Sequence, residues 1–574
     1  MKAATIILLI VLLSLKCVGQ FNLHFIGVEK EILKEIRVIE IAKDSLSALQ
    51  EVNRMETYLY SRGYLTANTD SIRWFQNDAN IYFHLGETFH WASIKKGNVA
   101  DIALIKSGYR SRILDQKEIN ATSIAKLHYA MINYYENNGF PFASSTLTNI
   151  NYKDSLSLSA ELRIDKGPLK RIDSIIVIGT AKISKIYLSN YIGIKQGSVY
   201  NQSKLSEIDS KLNELGFVKA SKSAQVSFTK KYTKLYLFLD HVNSSQFNGI
   251  LGILPDNITG KVTVTGDAKI VLKNAFTKGE LISLNWRKLQ SLTQDLDIKI
   301  NYPFLFQGPL GIDGKLKVYK RDTSYIELQQ RLGLQYLLSG GNYLMVFFDN
   351  YSSSLLDASK YASSSVLPPF ADVKFKQYGI AIKQSRLDYL INPRKGVSFD
   401  FKGSAGNKII TKNPELNEIL YDNILLNSIQ LKFEATLNYF LAIGKQSTVL
   451  FKVRSGQIIN KQVFFNELFR LGGLRTLRGF DEESINASLF GIATFEYRFL
   501  LERNSNLYLF GDYAYYERNV LNAHFSDRPI GFGAGIRFQT KPGIFSINYA
   551  LGSQQGNPVL LKSAKIHFGF VNYF

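Results

Sequence analysis

The chain has 574 residues, with 69 Lys and Arg against 48 Asp and Glu, for a net charge of +21. That length is too great for one ordinary domain, and a single cysteine excludes an intrachain disulfide framework. Tyr, Phe and Gly number 32, 38 and 41 against 3 Trp, a balance suited to β structure with tight turns.

Residues 1–19 read MKAATIILLIVLLSLKCVG. Lys2 precedes an apolar run over 3–15, which is too short to cross a bilayer as a helix. The pattern predicts a secretory signal peptide over 1–19, cut after Gly19. Two alternatives stay open. One is an N-terminal membrane anchor. The other is a lipoprotein signal using Cys17, although Lys16 stands where such signals want a small residue. No later stretch approaches 18 uninterrupted apolar residues, so no helical span is expected.

A repeat follows. YLYSRGYLTA, YYENNGFPFA and KLNELGFVKA each hold Gly-aromatic-x-x-Ala, beginning at Gly63, Gly139 and Gly216. A near-constant period is a repeat signal. A helical pattern precedes each glycine, as with Ile124, His128, Met131, Ile132 and Tyr135, so the glycine suits a helix C-terminal cap. Two strand-like runs come next, over 147–152 and 156–164 in the second repeat. Gly86 and Gly167 each lead into a further strand, over 91–96 and 171–178. The unit is therefore strand, helix, helix, strand, strand. This order and the G-[YF]-x-x-A turn resemble the POTRA domain. The resemblance implies α+β modules over 21–88, 89–168 and 169–243, whose exposed sheet edges take unfolded client strands by β-augmentation.

From residue 247 the period changes to two. In LTQDLDIKINY, Leu292, Leu296, Ile298, Ile300 and Tyr302 fall on one face, opposite Thr293, Asp295, Asp297, Lys299 and Asn301. In ATFEYRF, Ala493, Phe495, Tyr497 and Phe499 oppose Thr494, Glu496 and Arg498. Either a soluble sheet on a core or a membrane barrel with a polar lumen gives this pattern. No helical pattern is left to cover the apolar faces, and about sixteen strand candidates suit closure. The expected fold class is therefore α+β repeats followed by an all-β transmembrane barrel of about 16 antiparallel strands over 247–574. The last strand, KIHFGFVNYF, alternates Ile566, Phe568, Phe570 and Phe574. It resembles the terminal aromatic signal by which outer-membrane barrels are recognised.

FRLGGLRTLRGF at 469–480 resembles the loop-six segment of the BamA and TamA outer-membrane assembly superfamily, with signature [V/L]-R-G-[F/Y] at Leu477-Arg478-Gly479-Phe480. It falls between the eleventh and twelfth strand candidates. Asp388 with Asn392-Pro393 and Gly396, and the Gly533-x-Gly535 strand, fit the same family. The resemblance implies that the loop folds into the lumen and that Arg478 meets the F-x-D pair Phe510 and Asp512. Two apart on a strand, these share a face, and a carboxylate toward lipid is costly. Glu496, also inward, is a second candidate partner. Gly479 allows the tight turn and Phe480 packs on the wall. The alternative is an ordinary basic extracellular loop. The resemblance also implies a weak seam between first and last strands. Gly249 and Gly252 in FNGILG weaken the first strand, as would ordinary bulges.

The seven His are scattered, and no metal, P-loop or nucleophile motif stands out, so neither a cofactor nor an enzyme is expected. Expected export turns the positive charge toward anionic lipid or surface glycans and away from nucleic acid. The resemblance, closest to the TamA-like branch with three modules, implies a protein assembly or insertion factor. It would sit in the outer membrane of a Gram-negative bacterium, with the modules in the periplasm. Its partners would be unfolded outer-membrane or secreted clients, outer-membrane lipids and a periplasmic or inner-membrane accessory protein. A dedicated two-partner-type secretion channel and a passive porin are the alternatives.

Overall fold

The computed structural model describes residues 20–110, 113–255, 262–290, 292–389, 392–521, 523–540 and 543–573. The expected signal segment with Cys17, and Phe574 of the terminal motif, lie outside the described residues. The chain divides into two compact units, one over 1–171 with 199–203 and one over 172–198 with 204–574.

The first unit carries two sheets of one plan. In the first sheet Phe21–Ile26 runs parallel to Asp78–His84, flanked by Ile41–Ala42 and Asn68–Trp74. In the second, His90–Lys95 runs parallel to Ser157–Asp165, with Ser144–Tyr152 on its other side. Each sheet packs on a long helix whose start is fixed by a polar cap. Asp44 accepts from the Ser47 amide ahead of Ser45–Ser61, and Asn120 accepts from Thr122 and Ser123 ahead of Ala121–Glu136. The buried faces, Val52, Met55 and Leu59 in one helix and Leu127, Met131 and Tyr135 in the other, follow helical spacing. Gly63 and Gly139 sit just past these helices at φ +94° and +100°, where a side chain would be strained. His128, on the second helix, has Nδ1 2.7 Å from Ser145 Oγ, and burial lowers its pKa. That is an ordinary structural role.

The second unit begins with a third sheet of the same plan. Ser174–Ile178 runs parallel to Thr233–His241, and Val218–Phe228 completes it. Gly216, at φ +74°, follows the helix Ile208–Glu214.

A closed antiparallel barrel follows, with sixteen staves among the described residues. The fourteenth is broken into Ala523–Asp527 and Ile530–Gln539, both paired with Ser505–Val520. The staves outrun the alternating segments at several ends. The eighth, Asp372–Leu387, extends beyond the clear alternation because polar residues at its ends, Asp372, Ser385 and Arg386, still pair with Thr411, Ser398 and Val397. Leu292 is a correction. It lies in the turn before the fourth strand, Thr293–Leu305, at φ +65°, and not on the apolar face.

Burial along the strands decides what kind of barrel this is. In the twelfth strand, Leu489–Glu502, the buried residues include Thr494, Glu496 and Arg498, while Phe495, Tyr497 and Phe499 are 48%, 36% and 40% exposed. Charge inside and aromatics outside invert the order of a soluble protein and match a wall surrounded by hydrocarbon. Among the described residues no helix is long and apolar enough to cross a membrane.

Candidate functional site: a loop held in the barrel lumen

Residues 460–488 join the eleventh strand, Ser447–Ile459, to the twelfth. Within them Phe469–Leu471 pairs with Ile485–Ala487 as a small hairpin. Its tip closes on itself. Gly472 and Gly473 take φ of +110° and +86°, the Thr476 hydroxyl bonds both backbone groups of Gly472, and the Gly473 amide donates to the Phe480 carbonyl. This compact turn presents Arg478 sideways to the barrel wall.

Arg478 is 8% exposed. Its Nε and Nη2 donate to the two oxygens of Asp512 at 2.8 and 2.7 Å, the planar fork matching a carboxylate. Its backbone amide adds a third bond to Asp512 at 3.2 Å, and Nη1 donates to Glu496 at 2.6 Å. The Phe510 ring lies beneath, with its centroid 3.6 Å from Cζ. Desolvation works against the cation, yet the hydrogen bonds and charge of Asp512, with Glu496, hold its pKa above the ordinary arginine value. The thirteenth strand, Ser505–Val520, supplies Phe510 and Asp512 on one face. Gly479 is at φ +92°, and a Cβ there would lie 2.4 Å from the Leu551 carbonyl oxygen. Phe480 is buried with Leu477, Phe490 and Tyr516.

A family model of the Omp85 superfamily domain matches residues 279–574. The chain belongs to the Omp85 superfamily. Members of this superfamily transport or insert proteins, and the Omp85 fold places the barrel in the Gram-negative outer membrane. A second family model, surface antigen variable number repeat, a POTRA family, matches 170–240. The fold is similar to CdiB from Acinetobacter baumannii at 16% identity and TM-score 0.53, over 95% of this chain and 98% of that chain. It is also similar to CdiB from Escherichia coli at 13% identity and TM-score 0.55, over the same shares. BamA from Haemophilus ducreyi lacking POTRA domains 1–3 aligns over 84% of this chain and 100% of that chain, at 13% identity and TM-score 0.43. No curated protein sequence matches the chain.

Within this Omp85 barrel the loop has tethers that sequence reasoning missed. Arg498 donates to Glu496 at 2.8 Å and to Asn392 at 3.2 Å, and Asn392 donates to the Arg503 carbonyl. The chain of bonds from Asp512 through Arg478, Glu496 and Arg498 thus reaches the turn that Asp388 closes by accepting from the amides of Arg394 and Lys395. On other staves, Arg470 pairs with Glu327 and stacks 3.9 Å from the Tyr319 ring centroid. Lys408 meets Glu467 at 2.5 Å, Arg287 meets Glu483 at 2.8 Å, and Lys565 meets Asp481 at 2.7 Å. Gly531 is a further omission. A Cβ there would lie 2.0 Å from the Arg478 carbonyl oxygen, so the fourteenth strand admits the loop backbone only because this glycine is bare. The G-x-G-x-G spacing of 531, 533 and 535 was the available signal. The ion pairs gave none, because alternation names a face and not a partner.

The other expected residues lie apart from this cluster. Phe568 and Phe570 are on the sixteenth strand, Lys565–Tyr573, beside Phe545, whose ring centroid is 4.4 Å from that of Phe570. Gly249 and Gly252 are on the first strand, Gln246–Pro255, paired with Ala268 and Thr265 of the second. Every residue of the first strand pairs with the second. Toward the sixteenth strand, the pairing among the described residues is Gln246 with Tyr573 and Phe247 with Asn572. No cluster of His, Cys, Asp and Glu suited to a metal ion occurs among the described residues.

Proposed function

We propose that this Omp85 protein assembles client proteins in the outer membrane. The modules over 21–88, 89–168 and 169–243 stand in the periplasm and offer their sheet edges to unfolded chains. The client then reaches the junction of first and last strands and enters the bilayer there. The loop bearing Arg478 acts as a latch that keeps the wall in register while the seam gives way. The observation that carries this reading is the short pairing between the first and sixteenth strands. A barrel wall in hydrocarbon normally pairs every backbone group, and a seam joined at one end leaves groups that a client strand can satisfy. A dedicated secretion channel is the second reading, favoured by the whole-chain likeness to the two CdiB structures.

Depletion of the protein, followed by quantitative proteomics of the outer membrane, tests the two. Loss of many unrelated barrel proteins is expected; loss of one exported protein alone would replace assembly with dedicated secretion. The same cells test the seam. A Phe247→Cys, Asn572→Cys variant joins the facing pair with a disulfide and should fail to restore client levels until a reductant is added. Full restoration by the oxidised variant would remove the seam from the mechanism.

A further inference from the structure

The outer wall carries a second site, away from both loop and seam. On the sixth, seventh and eighth strands (Tyr325–Leu337, Tyr343–Leu355 and Asp372–Leu387) the outward residues form a regular grid. Leu332 pairs with Phe348 and Phe348 with Tyr378; the next row is Leu334, Val346 and Ile380. These six border a groove of about 620 Å³. Tyr378, Leu332 and Val346 are 72%, 62% and 58% exposed.

The row above is of another kind. Gln330 pairs with Asn350 and Asn350 with Lys376; above that, Ser352 pairs with Lys374. Asn350 donates to Gln330 at 3.1 Å. Both lysines are exposed on the lipid side, and neither pairs with a carboxylate among the described residues. By contrast the inward cation of the same rows, Arg331, is matched by Asp349 at 2.6 Å. Outward charge on a barrel wall is costly near the midplane and tolerated at the head-group level. The eighth strand is even-numbered and starts at the end away from the third sheet, so both lysines lie near that rim. With the modules in the periplasm, as proposed above, that rim is the outer leaflet.

We propose that this surface is a binding site for one anionic lipid of the outer leaflet. An acyl chain lies in the apolar groove and a head-group phosphate meets Lys374 and Lys376. Ammonium groups without a carboxylate partner among the described residues, directly above an apolar channel, match the layout of a phospholipid or phosphorylated glycolipid, whose charge and chain are joined in that order. Lysine acts as a point charge for phosphate, and each such contact adds to the attraction of the anionic surface.

Native mass spectrometry of the full-length protein tests this, after release from nanodiscs of equal phosphatidylglycerol and phosphatidylcholine. The parent should retain one phosphatidylglycerol in preference to phosphatidylcholine. Lys374→Gln with Lys376→Gln should cut that preference by about thirtyfold. Val346→Trp, which fills the groove, should reduce retention of both lipids. Lys288→Gln, an outward lysine on the third strand, Leu281–Gln290, should change neither. Retained preference in the double variant, or equal loss with Lys288→Gln, would overturn the site in favour of diffuse charge attraction. Mobility of the unheated protein in detergent gels checks that each variant still folds, independently of any client phenotype.

Discussion

Arg478→Ala should destabilise the closed barrel by about 3–5 kcal/mol, because it strands buried carboxylates whose partner was this guanidinium. Asp512 is 1% exposed and takes three of its bonds from Arg478, so it bears most of the loss. Glu496 keeps Arg498 at 2.8 Å and is partly compensated. Arg478→Lys should fall between, since one ammonium cannot span both oxygens of Asp512 and also reach Glu496. Removing both partners, as Arg478→Met with Asp512→Asn, should recover most of the stability and separate an orphaned charge from a lost contact. The measurements are the denaturant midpoint in micelles and the rate of protease cleavage within 472–484. An unchanged midpoint and cleavage rate for Arg478→Ala would reduce the latch to an ordinary loop contact.

Lys408→Met should have an effect of similar size at the root of the same loop. Lys408 and Glu467 have side chains 0% and 1% exposed, enclosed by Phe375 and Phe464. Lys408 also donates to the Gln462 carbonyl at 2.5 Å. Without the ammonium, the Glu467 carboxylate keeps the Phe464 amide at 2.9 Å as its remaining partner. The expected loss is about 3–5 kcal/mol, and Lys408→Met with Glu467→Gln should lie close to the parent. A single variant as stable as the parent would mean that water reaches Glu467 and the pair is not sealed.

The sequence made the repeats legible because a turn needing positive φ forces glycine, and Gly63, Gly139 and Gly216 mark that turn at one period. The barrel was legible because alternation has a fixed period of two, so Glu496 and Asp512 could be put on one side of the wall before any coordinates. What alternation could not reveal was which residues meet across the lumen. Asn392 lies 106 residues from Arg498 and Lys408 lies 59 from Glu467, and nothing local in either pair signals the other. The tethers of Arg470 and Arg287 were hidden for the same reason. Leu292 was misplaced because an apolar residue at a strand start reads as the first step of the alternation, whereas its positive φ makes it a turn residue.

The loop is fastened to the wall by buried and half-buried charge at Arg478, Arg470, Lys408 and Glu483, beside the apolar packing of Leu477 and Phe480. Such bonds depend on how much water is present: a pair at 4 Å is worth about 4 kcal/mol at an effective dielectric of 20 and about 1 in bulk water. Admitting water at one fastening therefore weakens its neighbours, and each release wets the next. Held this way, the loop is expected to let go as a two-position switch thrown by hydration rather than as a graded spring. Amide exchange across 469–487 would then lose its protection in a single step, and stepwise loss would show the fastenings to be independent.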